Sequence, residues 1–470
     1  MTSSHYDLVI IGSGSGNSLV TPDFADKKVA IVEDGVFGGT CLNVGCIPTK
    51  MFVYAAEVAT SVRSGARYGI DATLDQVRWA DIRDRVFGRI DPISEAGRDY
   101  RLTGSGTTAY LGRARFTGPR ELEVTGLPGG ETAHISGDQV VIATGARPWV
   151  PEEVLRCGVP FHTSDTVMRM DDLPASLLIL GGGYIAAEFA HVMSALGVRV
   201  SIATRGPGLL RHLDDSISAA FTGLAQQQWD VHLGVEATQV VQAADGTVRM
   251  ELTDGSALQA EALLVATGRM PNSDDLGLEL AGVRTDEDGK VLVDEHGRTG
   301  VDGVWSLGDV SSPYQLKHVA HHEARVVAHN LAHPGDLQAF DHLAVPAGVF
   351  SHPQVASVGL TERQAREAGH DVTVKVQMFG DTAYGWAMED STSLCKLVAD
   401  RGTHALLGAH LMGPHATSLI QPLIHAVSSG EPVDGLARSH YWIHPALSEV
   451  VENALLGLDF GDAYDGGHGS

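Results

Sequence analysis

Cysteine is scarce: four residues in a chain of 470. So few fit a reducing cytoplasm, where a disulfide is usually catalytic, rather than a disulfide-stapled secreted scaffold. Positive charge is short as well, with 33 Lys and Arg against 58 Asp and Glu and a formal net charge of −25. That balance argues against nucleic acid or an anionic membrane surface as a partner. Long uncharged apolar runs are missing, so no stretch has the length of a membrane span. The start, Met1 to Asp7, lacks the basic and apolar regions of a signal peptide. What is present is ample core material: 43% hydrophobic residues at a mean hydropathy of +0.01, enough for about three domains. The 55 glycines cluster in punctuating loops, and Gly461 to Ser470 reads as a disordered tail.

Two of the four cysteines stand close together. Gly38-Gly-Thr-Cys41-Leu-Asn-Val-Gly-Cys46-Ile-Pro-Thr-Lys50 holds the pair, and the apolar run after it (Met51, Phe52, Val53, Ala55, Ala56, Val58) predicts a helix. The pair therefore lies at or near a helix N-terminus, where amides and the helix dipole stabilise a thiolate. A disulfide closed over so short a loop is strained and redox-labile. A structural disulfide, half a zinc site and two unrelated thiols are the other readings. Cys157 and Cys395 are isolated and add no metal-like spacing. A redox-active dithiol leads.

From the N-terminus, Tyr6 to Ile11 is a continuous apolar strand of the kind buried on both faces. It feeds Gly12-Ser-Gly14-Ser15-Gly16-Asn17, and Lys28 to Glu33 reads as the next strand, ending in an acid about twenty residues on. Strand, glycine loop, helix and acid make a dinucleotide fingerprint, with the diphosphate on the loop and the acid on a ribose. Asn17 departs from the Gly or Ala of the third position and predicts a wider helix–strand contact. Arg83 to Tyr100 reads as amphipathic helical scaffold, and Ala109 to Phe116 and Arg120 to Val124 as strands. Gln139 to Gly145 is a buried strand ending in Ala-Thr-Gly, with a domain boundary after it.

The pattern repeats. Ser176 to Leu180 leads into Gly181-Gly-Gly183-Tyr184-Ile185-Ala186-Ala-Glu188, Arg199 to Ala203 is the second strand, and Ala262 to Gly268 echoes the earlier Ala-Thr-Gly ending. Two fingerprints predict two dinucleotide-binding units in one chain. The second carries Arg205 and Arg211 where an acid is expected. Guanidinium binds phosphate in a bidentate fork, so this unit is expected to accept a ribose 2′-phosphate and to favour NADPH. Gly303 to Asp309 is a strand closing on a carboxylate able to meet a polyol. From Phe340 the texture changes to strands (345–350, 372–378, 394–398, 406–412) and helices (416–429, 448–456), an interface module. Near the end, His444 precedes Pro445, with Glu449 in the following helix. A lone histidine among 22 is more often structural. This one gains weight because thiol chemistry needs an acid/base partner and a carboxylate can fix its tautomer.

These residues resemble the FAD-dependent pyridine nucleotide–disulfide oxidoreductases, the group of glutathione reductase, lipoamide dehydrogenase and mercuric reductase. The likeness spans nearly the whole chain. It rests on the motif from Gly38 to Lys50, the Gly-Asp309 segment and His444-Pro-x-x-Ser-Glu449. The resemblance implies an α/β fold of two Rossmann-like domains, for FAD and NADPH, plus a C-terminal α+β dimerisation domain. The divisions expected are an FAD domain at 1–150, an NADPH domain at 151–270, a return segment at 271–340, an interface domain at 341–460 and a tail at 461–470.

The resemblance also implies roles. FAD would lie on Gly12, Gly14 and Ser15, with Glu33 at its ribose, Gly112 by the adenine, Thr40 near the diphosphate, Gly145 at the strand end and Asp309 at the ribitol. NADPH would dock on Gly181, Gly183 and Ile185, with Gly268 at the matching strand end, Arg205 and Arg211 on the 2′-phosphate, and Tyr184 covering the flavin. Lys50, paired with Glu188, would stand beside the flavin. Cys46 would be its thiolate neighbour, Cys41 the exposed thiol that attacks substrate, and His444, oriented by Glu449, the proton donor from the other subunit of an obligate homodimer. No cysteine pair follows Cys395, and no metal site is expected. The substrate is then a small disulfide, mycothione first on the strength of Gly12 to Ser18 and Asp381 to Asp390. Lipoamide with NADH, a glutathione-type disulfide, and a non-catalytic flavoprotein redox sensor are the alternatives.

Overall fold

The computed structural model describes residues 4–104 and 106–461. The expected tail therefore falls, after Gly461, outside the described residues.

Three sheets organise the chain. The first is built on Ser4–Ile11, whose Leu8, Val9 and Ile10 are buried with neighbours on both sides. Parallel strands Val29–Glu33 and Thr107–Leu111 lie to one side of it. To the other lie Ala133–Ile142, parallel, and then Glu121–Thr125 and Arg113–Gly118, antiparallel. Val304–Ser306 pairs in parallel with Ala133–Ile142, so a late segment returns to this sheet. The single strand read over 109–116 is two strands broken at Gly112, where an added Cβ would lie 2.4 Å from Thr125 O.

The second sheet is parallel throughout, in the order Asp230–Leu233, Arg199–Thr204, Ser176–Leu180, Ala262–Val265. A three-stranded antiparallel meander spans 237–260. A ribbon of Ala146–Pro148 against Arg269–Pro271 joins the two units. The third sheet is antiparallel, in the order Ala347–Val349, Gln354–Gly359, Leu406–Gly413, Leu394–Asp400, Val372–Met378. Helices Ala416–Leu419, Gln421–Ser429 and Glu449–Leu456 pack on it through Leu423, Val427, Val450 and Leu455.

One packing relation positions the chemistry. The helix Cys46–Ser64 buries Phe52, Val53, Ala56 and Ala59, a spacing of one helical face. That face meets Ala186, Ala187 and Ala190 of the helix Tyr184–Ala195, within one core that also takes Trp79, Phe87 and Phe189. Small side chains let the two helices approach closely. The helix carrying Cys46 is thereby docked onto the helix that follows the second glycine loop.

Candidate active site

The cysteine turn is held by close backbone contacts. An added Cβ on Gly39 would stand 2.6 Å from Gly14 Cα, and Gly38 N donates to Ser13 Oγ at 2.8 Å. The turn is thus pressed against the first glycine loop. Cys41 lies in the short helix Gly39–Asn43, and buried Asn43 ties that helix down by donating to Phe37 O and Gly39 O, each at 3.0 Å. Cys46 is the first residue of the long helix Cys46–Ser64, the N-terminal position expected for it.

Both cysteines are free thiols. The Cys46 thiol is pushed down to about 7, first by a hydrogen bond with Cys41 and then by the Lys50 charge, against the effect of burial. The Cys41 thiol is pushed up by its bond to Cys46, by burial and by the neighbouring negative charge, while Lys317 pulls it down. The two thiols titrate as a pair, with the proton held more tightly on Cys41 than on Cys46. In the protein chain alone Cys46 is exposed and Cys41 half-buried. The reason is local. Cys41 is folded under the glycine loop, whereas Cys46 heads its helix at an open concavity of about 490 Å³ shared with Ile47, Lys50, Met51, Tyr54 and Arg85.

Lys50 lies one turn beyond Cys46. Its Nζ is 2.7 Å from Glu188 Oε1 and 4.2 Å from the centroid of Phe350. The same carboxylate oxygen accepts from Phe350 N at 2.9 Å. Three segments of the chain therefore fix one ammonium group. Tyr184 is half-buried nearby; burial raises its pKa, and Arg269, Asp309, Glu188 and Cys46 all act on it.

The first glycine loop departs from expectation in its continuation. Ser15–Leu19 is a five-residue 3-10 turn rather than the start of a long helix. Nor does Asn17 widen the contact. Gly16 makes the close approach instead, an added Cβ there meeting Ile10 Cγ2 at 2.8 Å and Ala143 Cβ at 2.9 Å. Asn17 turns outward and accepts from Arg101 Nε at 2.9 Å. Glu33 ends its strand as expected, its carboxylate accepting from Ser13 N at 2.8 Å, Ser13 Oγ at 2.6 Å and Gly35 N at 2.8 Å. Gly112 N donates to Glu33 O at 2.9 Å, which puts the two side by side. Thr40 lies in the cysteine turn itself, and Gly145 accepts from Asn272 N at 2.9 Å where the linking ribbon begins.

Asp309 tests whether these residues suit FAD. Burial raises its pKa, and Arg269 and Lys317 offset this in part. Among the described residues no side chain donates a hydrogen bond to its carboxylate. A half-buried carboxylate awaiting donors suits a polyol chain, and a loop with backbone this close suits a diphosphate. The set fits the group.

The second unit is organised alike. Gly183 precedes the helix Tyr184–Ala195, in which Ile185 is half-buried and Ala186 buried. Gly268 O accepts from Trp149 N at 2.9 Å. Arg205 and Arg211 are both exposed, and an added Cβ on Gly206 would lie 2.6 Å from Arg211 Cδ, so Arg211 folds back across the residue after Arg205. Neither guanidinium has a carboxylate within 4 Å among the described residues. Leu210 N donates to Gly182 O at 2.8 Å, pinning this loop to the glycine loop.

His444 Nδ1 and Glu449 Oε1 are 2.7 Å apart, and Glu449 Oε2 also accepts from Ala446 N at 3.2 Å. The imidazole is 71% exposed and the carboxylate 18%. Among the described residues nothing joins His444 to either cysteine. Sequence reasoning missed Lys317, Phe350, Arg269 and Arg101. Lys317 Nζ is 3.0 Å from Ser15 Oγ. It opens the helix Lys317–Ala332, whose buried positions 319, 320, 323, 324 and 327 follow a helical period.

Comparison with known proteins agrees with this geometry. Residues 6–324 match the family "Pyridine nucleotide-disulphide oxidoreductase", and residues 345–455 match its dimerisation domain. The chain is 55% identical over 458 residues to a mycothione reductase of Mycobacterium tuberculosis, covering 96% of this chain and 99% of that one. It is 33% identical over 450 residues to a glutathione reductase of Burkholderia cepacia, covering 94% and 97%. Among solved structures, an HOCl-induced flavoprotein disulfide reductase, RclA, from Escherichia coli superposes with a TM-score of 0.84 at 28% identity, over 97% of this chain and 99% of that one. No helix among the described residues is long and apolar enough to cross a membrane. The chain belongs to the pyridine nucleotide–disulfide oxidoreductase family and is an FAD- and NAD(P)H-dependent disulfide oxidoreductase.

Proposed function

We propose that the chain uses NADPH to reduce a small disulfide, mycothione, as a cytoplasmic homodimer. The observation that carries this reading is geometric: Cys46 heads the helix Cys46–Ser64 close to Cys41, and Lys50, one turn on, is fixed by Glu188 at 2.7 Å. The relative with 55% identity, a mycothione reductase, supports the choice of substrate. Two exposed arginines free of carboxylates support NADPH over NADH.

Glu33, Gly112, Thr40, Asp309 and the loop from Gly12 are read as the FAD site. When bound there, FAD would supply the two-electron chemistry that links the pyridine nucleotide to the cysteine pair. Lys50 supplies a fixed cation where negative charge develops, and Glu188 with Phe350 keeps it in place. Tyr184, beside Glu188 and Asp309 in its electrostatic surroundings, is read as the ring covering the nicotinamide position. Cys41 attacks the substrate, and His444, its ring fixed by Glu449, protonates the departing sulfur. His444 is read as acting on the cysteines of the second copy. The matching dimerisation segment supports this, as do exposed Tyr441 and Ile443 flanking the histidine.

The test is a panel of mycothione, glutathione disulfide, lipoamide and trypanothione against both nicotinamides. Mycothione with NADPH is expected to give the largest kcat/KM. Faster turnover of dihydrolipoamide with NAD would move the chain to the lipoamide branch.

A further inference from the structure

The loop that carries Arg205 and Arg211 is held from two sides. On one side Leu210 N donates to Gly182 O of the second glycine loop at 2.8 Å. Buried Leu210 sits at φ +53°, a left-handed conformation that a leucine keeps only where its surroundings fix it. On the other side, three residues past Arg211, Asp214 caps the helix Asp215–Gln228, its Oδ1 accepting from Ser216 N at 3.0 Å. That helix in turn grips the loop: Leu209 N donates to Thr222 Oγ1 at 2.9 Å, and Ser218 Oγ donates to Leu209 O at 2.6 Å.

Asp214 is buried, and its charge is met from the interface domain rather than from its own unit. Lys396 lies on the buried strand Leu394–Asp400. Its Nζ is 2.8 Å from Asp214 Oδ1, 2.8 Å from Glu362 Oε2 and 3.0 Å from Ser216 Oγ. Glu362 N donates to Asp214 Oδ2 at 3.1 Å, and Arg363 pairs with Asp215 at 3.0 Å on the exposed side.

We propose that Lys396 is a positioning residue for nucleotide specificity: through Asp214 it clamps the arginine loop, so the interface domain sets how well the second unit holds the 2′-phosphate of NADPH. The inference rests on the reading of Arg205 and Arg211 as phosphate ligands. Lys396 is buried, so it acts through Asp214 and not on the nucleotide. Without its ammonium, two carboxylates would face each other across a buried gap. An unpaired buried charge is costly, and moving the chain that carries it relieves the cost. Here that chain is the end of the arginine loop. A guanidinium fork on phosphate depends on its placement, whereas a ribose without the phosphate asks nothing of these arginines.

The test is stopped-flow reduction of the flavin-loaded protein by NADPH and by NADH over a range of concentrations. Lys396→Met is expected to raise the half-saturating NADPH concentration about tenfold and to leave the NADH value, the limiting rate and the flavin content unchanged. Asp214→Asn keeps the helix cap and removes the charge. It should shift NADPH in the same direction by a smaller factor, and is read alone if the Met protein is not recovered. An equal rise for both nucleotides, or no rise for NADPH, would overturn the proposal. Arg205→Ala combined with Arg211→Ala separates the two ideas. Unchanged NADPH saturation in that protein removes the arginine reading and the inference with it; a rise there with none in Lys396→Met removes only the inference.

Discussion

The two glycine loops make one backbone contact in common and then diverge. Gly12, at φ +108°, would place a Cβ 2.3 Å from Ala143 O; Gly181, at φ +137°, would place one 2.2 Å from Ala266 O. Each loop thus presses on the alanine of an Ala-Thr-Gly strand end, where only glycine fits. Beyond that point the first unit makes a 3-10 turn and ends its second strand in Glu33, while the second makes a twelve-residue helix and passes from its second strand into Arg205. The shared part is what a diphosphate requires of the backbone. On the reading proposed above, the divergent part is what each ribose requires of a side chain: an acceptor for hydroxyls in one, a cation for phosphate in the other.

The largest effects should break the shared part. Gly12→Ala is expected to yield protein with almost no flavin, measured as the ratio of flavin absorbance to protein. Gly181→Ala is expected to keep its flavin and to lose reduction by NADPH by at least about a hundredfold, measured by stopped flow. Equal flavin loss in both would mean that the loops do not serve separate ligands. A smaller effect should sharpen the divergent part. Replacing Arg205 and Arg211 together by Ala should raise KM for NADPH by about a hundredfold, at about 1.4 kcal/mol for each arginine, and leave KM for NADH unchanged. A parallel rise for both nucleotides would assign the arginines to the loop's structure.

The buried strands were legible in the sequence because their apolar runs are continuous, and Ser4–Ile11 and Ser176–Leu180 lie inside sheets with neighbours on both sides. The cysteine motif was legible because its chemistry is local. The meander at 237–260 was passed over, although Asp245-Gly246 and Asp254-Gly255 mark its two turns and its strands alternate exposed and buried residues. The helix Lys317–Ala332 escaped because Glu323 and Asn330 interrupt its buried face and histidines crowd the rest. Lys317 and Phe350 reach the site only by tertiary packing, from about 270 and 300 residues beyond the cysteines. Asn17 marks the opposite case. The departure was visible, but its consequence was not, because Gly16 takes over the contact that the third position ordinarily makes.

The central claim is that electrons reach substrate through a Cys46 thiolate beside the flavin. Its most direct measurement is the long-wavelength charge-transfer absorbance of the holoenzyme after one equivalent of NADPH under nitrogen, followed against pH. Because the Cys46 pKa is lowered, the thiolate is present above it and is lost as pH falls through about 7. The account predicts a full band at pH 8, decay on acidification or on addition of mycothione, and no band in Cys46→Ser. A band that persists in Cys46→Ser, or one that never forms in the native protein, would contradict it.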